Sequence, residues 1–122
     1  MSSKNKLLFL MLLVIGVSVA LTLYLNRQKG PKFEYKPGVV PQWDQAVRQA
    51  KKVYEDKKAL GIDFSSGPCL TNDLMPDYVL DLVHNPRQAV DDLPQNQCQA
   101  YIEGRARHFV EMDLDGNIAQ IQ

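Results

Sequence analysis

The chain has 122 residues, fourteen basic and fourteen acidic, so its formal net charge is zero, and 45% of it is hydrophobic. That length suits one small domain, and balanced charge excludes the uniformly basic class that binds nucleic acid by displacing counterions. The two cysteines form no Cys-x-x-Cys motif and the two histidines do not cluster, which points away from a zinc module.

Leu7 to Leu25 is a run of nineteen residues without a charge, bracketed by Lys4 and Lys6 before it and by Arg27, Lys29 and Lys32 after it. As a helix it reaches roughly 28 Å, close to the hydrocarbon thickness of a bilayer. Residues 1–27 are therefore predicted to form a single-pass membrane anchor whose partner is the lipid bilayer. Ser18-Val19-Ala20 offers the cleavage site of a secretory signal, the main alternative. Against cleavage, apolar sequence resumes at once with Leu21, Leu23, Tyr24 and Leu25. A buried helix of a soluble protein needs a larger core than the remaining residues can build. Counting basic flanks alone slightly favours a cytoplasmic C-terminus. The six-residue segment before the apolar run, typical of signal anchors, and the cysteine usage favour the reverse, and the C-terminal domain is expected to be extracytoplasmic.

Gly30, Pro31, Pro37, Gly38 and Pro41 forbid a continuous helix over 28–41, which reads as a spacer. From Gln42 to Leu60, Trp43, Ala46, Val47, Ala50, Val53, Tyr54 and Leu60 recur at the three-and-four spacing of an amphipathic helix, and Gly61 supplies a stop. Arg48, Lys51, Lys52, Asp56 and Lys58 form its solvated face. Ile62 to Phe64 reads as extended, residues 65–72 as a loop, and Pro76 to His84 as a short helix ended by Asn85-Pro86. An acidic loop over 88–97 delivers Cys98.

Beyond it the pattern reads as strands over 99–102, 105–113 and 118–121, with turns at Glu103-Gly104 and over 114–116. On the middle strand Ala106, His108, Val110 and Met112 are expected to meet the long helix, with Arg105, Arg107, Phe109, Glu111 and Asp113 on the other face. The expected fold is α+β over 42–122, with a long helix on a three-stranded antiparallel meander.

Cys69 and Cys98 lie in polar, turn-rich contexts and are read as one disulfide, the alternative being two buried thiols. A loop of about 30 residues closed in this way stabilises a fold by roughly 3–4 kcal/mol in the chain-entropy model. A disulfide implies an oxidising compartment. Residues 27–58 carry nine basic and four acidic groups, and residues 59–122 carry three basic and ten acidic. The compact part is thus acidic and no nucleic-acid partner is expected. The basic stretch suits either anionic headgroups or a solvated collar.

Candidate chemistry is sparse. Glu111, Asp113 and Asp115, with Gly116 and Ile118, partly match a calcium loop, but Gln122 stands where a bidentate carboxylate is needed. His84 and His108, with Arg87 and Asp81, are the candidates for acid–base catalysis. Satisfied structural histidines are the plainer reading. No phosphate loop or nucleophile elbow is present, and no cofactor is expected.

Gly67-Pro68-Cys69-Leu70-x-Asn72, His84-Asn85-Pro86-Arg87, Asp91-Asp92-Leu93-Pro94-x-Asn96-Gln97-Cys98 and His108-Phe109-Val110-Glu111 together resemble small bacterial single-pass membrane-anchored proteins of unassigned function with a two-cysteine C-terminal domain. The resemblance spans roughly Ile62 to Asn117 and implies a tethered domain without naming site residues. The expected role is a binding or structural envelope module, with another envelope protein as partner. The alternative is a tethered hydrolase or nuclease using His84 and His108.

Overall fold

The computed structural model describes residues 2–27 and 33–122 and divides the chain into two compact units, Met1–Lys32 and Phe33–Gln122. Part of the spacer expected over 28–41, together with Lys29 and Lys32, lies outside the described residues. In the first unit, α1 runs from Ser3 to Arg27 and is long and apolar enough to cross a membrane. Its apolar side chains are exposed around the whole circumference, a pattern that water does not favour and lipid does. The Thr22 hydroxyl donates back to the Ser18 carbonyl at 2.8 Å, so this polar group is satisfied within the helix.

The second unit begins with Phe33 and Tyr35, which fall within the segment read as a spacer and pack against the core. Asp44 accepts from the Tyr35 hydroxyl and from the Gly38 amide, which fixes the entry into α2, Pro41–Ala59. Pro41 suits that start because its missing N–H falls where no intrahelical partner exists. Ala46, Val47, Ala50 and Tyr54 form the buried stripe of α2, as the spacing predicts.

The α+β class holds, but the sheet has four strands and is mixed, which corrects the expected meander. Its strands are β1 (Cys69–Met75), β2 (Tyr78–Val83), β3 (His108–Asp113) and β4 (Ile118–Ile121), in spatial order β1-β2-β3-β4. β1/β2 and β3/β4 are antiparallel, and β2/β3 is parallel.

The segment Pro76 to His84, expected as a helix, instead contains the strand β2, Tyr78–Val83. Every residue of β2 is buried, because a central parallel strand covered on both faces carries a continuous apolar run instead of an alternating one. Pro76 belongs to the β1/β2 turn, where Asp77 adopts φ 71°. β1 starts inside the loop expected over 65–72. Residues 99–102, expected as a strand, make the single helical turn α3, Gln99–Ile102. There the Ala100 amide donates to the Asn72 side chain at 2.8 Å.

α2 covers one sheet face, where its stripe meets Leu80, Leu82, Val110 and Met112. Each such fully buried side chain contributes about 1.5–3 kcal/mol, and Leu80→Ala would cost about 2–5 kcal/mol. The β2-to-β3 crossover, carrying a 3-10 turn (Ala89–Asp92) and α3, lies on the opposite face around Val79, Cys98, Ala100 and Ala106. Val110 and Met112 meet the helix as expected. Ala106 does not, because its amide and that of Arg105 bond to the Ala100 carbonyl and hold both residues in a turn before the strand.

Candidate functional site

Strand pairing lines up Cys69, Asp81, Glu111 and Gln120 as successive register partners across β1, β2, β3 and β4. Paired residues project to the same side of a sheet, here the side away from α2. Cys69 is joined to Cys98 with Cα atoms 5.0 Å apart, so the disulfide pins the start of α3 over this row. Between the row and α3 lies a cavity of about 310 Å³. Val79, Phe109, Tyr101, Ile102 and Cys98 supply its apolar walls, and Asp81, Glu111, Arg87 and Gln97 supply its polar groups. The Tyr101 and Phe109 rings meet edge-on, 5.2 Å apart.

Asp81 is the unusual member of this group. It is only 8% exposed, and its Oδ1 has no hydrogen-bond partner. Burial, reinforced by the neighbouring Glu111 carboxylate, pushes its pKa up to about 7, against a smaller opposing pull from Arg87. A buried ionised carboxylate without a paired cation is costly, so the proton is retained to near neutrality.

Arg87 is committed elsewhere. Its guanidinium donates to Glu111 at 2.8 Å and to Asp92 at 2.9 Å and 3.1 Å, and these carboxylates hold its pKa above the usual value despite partial burial. One cation thus serves two carboxylates, and none of its three bonds reaches Asp81.

His84, one residue past β2, places its Nδ1 2.7 Å from the Asp91 carboxylate. Asp91 is fully buried. Burial alone would raise its pKa, but the Gln88 and His84 amides and the His84 ring hold it below the usual carboxylate range. A Cβ on Gly67, whose φ is 64°, would stand 2.4 Å from the Asp91 carboxylate, so glycine is required there. The His84–Asp91 pair therefore organises the loop that carries Arg87. A second, more polar cavity of about 420 Å³ is lined by His84, Asn85, Gln88, Asp113, Leu114 and Asp115.

The structure does not bring His84 and His108 together. In the parallel register Tyr78 pairs with His108 and Val83 with Asp113, which puts the two imidazoles at opposite ends of the β2/β3 ladder, about 20 Å apart along the strands. His108 stacks on Tyr78 at 4.8 Å, with its Nε2 3.6 Å from Asp77, and lines neither cavity. The pair thus has no shared cleft for acid–base chemistry.

The residues of the calcium pattern also have other occupations. Glu111 is bonded to Arg87, and Asp113 accepts from the Asp115 and Asn117 amides and the Asn117 side chain to close the β3/β4 turn. Among the described residues no three His, Cys, Asp or Glu side chains gather as metal ligands. What the sequence understated is Asp81, read only as an accessory to the histidines. The available signal was a lone acid inside the apolar run Tyr78–Val83.

The chain matches no family model, no curated protein and no solved structure, so its function is read from this geometry.

Proposed function

We propose that this chain is a membrane-tethered, extracytoplasmic binding module that takes its ligand in the cavity between the β2/β3 face and α3. The observation that carries the reading is Asp81, a buried carboxyl with an unpartnered oxygen in an apolar-walled cavity. Folding leaves such a group unpaired at a cost, which a ligand donor offsets. A cavity combining apolar walls with a few convergent polar groups is the usual form of a small-ligand site. The disulfide supports an oxidising location, and α1 supports attachment to a bilayer.

The test is photo-crosslinking in intact cells from a benzophenone amino acid at Tyr101, on the cavity wall, with Lys51 on the solvent face of α2 as control. A reproducible adduct from position 101 that is absent from position 51 is the expected result. Indistinguishable adduct patterns from the two positions would contradict the reading.

A further inference from the structure

We propose that the cavity ligand is a primary ammonium group on a short apolar stem, its nitrogen seated against Asp81 and its stem lying along the wall that Tyr101 and Phe109 form together. This rests on the cavity being the binding site, and it names the chemistry of what enters.

Charge balance argues for a cation. Asp81, Glu111 and Asp92 surround a single guanidinium, and Arg87 spends its donors on the last two. The remaining carboxyl is 8% exposed and one of its oxygens has no protein partner, so its ionised form calls for a hydrogen-bond donor and repels an anion. A divalent metal needs several oxygen ligands, and no such group is present among the described residues. An ammonium needs fewer partners and gains from aromatic walls. Cations are attracted to ring faces by about 0.5–2 kcal/mol, and Tyr101 and Phe109 provide two rings in mutual contact. A volume of about 310 Å³ lies at the small end for ligand pockets and suits a stem no larger than an amino-acid side chain.

Ionisation should be linked to binding. The groups bearing on Asp81 are Glu111 on β3, Arg87, the Leu82 amide on β2, and Asp91 in the 3-10 turn; Cys69 and Cys98 do not titrate. With its carboxyl losing its proton near pH 7, Asp81 presents a full charge only above that, and the bound ammonium favours the ionised form.

The experiment is an NMR titration of the full chain in zwitterionic nanodiscs with benzylammonium, benzyl alcohol and phenylacetate, read at the amides of Val79, Cys98 and Phe109. Benzylammonium is expected to saturate with millimolar affinity, as a ligand of about eight heavy atoms does. Benzyl alcohol and phenylacetate should bind at least about tenfold more weakly. Affinity for benzylammonium should fall about tenfold from pH 8 to pH 6, since Asp81 goes from mostly ionised to mostly neutral; this arm requires no mutant. Asp81→Asn should lose about tenfold at pH 8. Nα-acetyl-lysine methylamide, whose ε-ammonium is free, separates two sources of the same group: if it binds as benzylammonium does, the ligand is a lysine side chain, and if only benzylammonium binds, it is a free amine. Equal binding of benzyl alcohol, or affinity independent of pH, overturns the ammonium assignment while leaving a binding cavity. Failure of all the probes to shift these amides removes the cavity as a site.

Discussion

Asp81 and Glu111 are register partners on the parallel strands β2 and β3, two carboxyls on one sheet face with a single guanidinium that reaches only the second. Arg87 bonds Glu111 at 2.8 Å, whereas the Asp81 Oδ1 is buried without a partner. That asymmetry underlies the electrostatic behaviour expected of this domain.

The first consequence is a pH-dependent stability term with a defined sign. The Asp81 pKa is raised from 3.8 to about 7, so between those values the native state holds a proton that the unfolded chain has lost. Stability from this group is therefore greatest below about pH 4 and declines until pH 7, above which the penalty is complete. Asp81→Asn is expected to be more stable than the natural chain at pH 8 by about 1–3 kcal/mol, with the gap shrinking toward pH 5. Urea unfolding at the two pH values measures it, and an equal gap at both contradicts the assignment.

Arg87 holds the Asp81 pKa lower than burial and Glu111 alone would leave it. Arg87→Gln should therefore move the Asp81 titration midpoint upward, as read from its carboxyl carbon shift by NMR. Its effect on stability should come mainly from Glu111, about 1–3 kcal/mol, because that carboxylate is only 13% exposed and loses its cation, whereas the more exposed Asp92 pair contributes little. A midpoint that stays put or falls would show that Arg87 does not sense Asp81.

Glycine substitutions separate close packing from turn conformation. Gly67→Ala places a methyl group 2.4 Å from the Asp91 carboxylate and 3.0 Å from the Leu82 carbonyl at φ 64°, whereas Gly104→Ala, at φ 73°, meets open space. The second should cost about 1 kcal/mol through backbone strain alone. The first should cost several times more and loosen the His84–Asp91 pair. Chemical denaturation of both variants provides the comparison, and equal losses would refute the role given to Asp91.

The disulfide joins residues 29 apart in sequence, and Cys69→Ser with Cys98→Ser is expected to cost about 2–4 kcal/mol. Because the bond also pins α3, the double variant should lose order at the amides of Tyr101 and Ile102 before the α2 side of the sheet melts. Hydrogen exchange resolves the two events, and simultaneous loss contradicts a local role for the crosslink.

The parts of this fold legible in the sequence were those with a clear period. The three-and-four spacing from Trp43 to Tyr54 locates α2, and the alternation around Phe109 to Met112 locates β3 and two of its expected helix-facing residues, Val110 and Met112. β2 is not legible as a strand because Tyr78-Val-Leu-Asp-Leu-Val has no alternation: both faces of that strand are covered, so the solvent signal vanishes. Missing β2 also hid the parallel pairing, and with it the meeting of Asp81 and Glu111, which lie thirty residues apart in the chain. α3 is not legible because four residues carry no period. Cys69 and Cys98 were legible as a pair because their polar surroundings disfavour buried thiols.

We propose above that a bilayer holds the chain and that its disulfide-tied domain, on the outer side, carries the binding cavity, an arrangement open to direct measurement. It is tested most directly by protease shaving of intact cells, followed by non-reducing peptide mapping of the released and membrane fractions. The expected result is release of peptides from the 33–122 domain with Cys69 and Cys98 still joined, while residues before Arg27 stay with the membrane. Recovery of the whole chain in the soluble cytosolic fraction with both thiols reduced would contradict the claim.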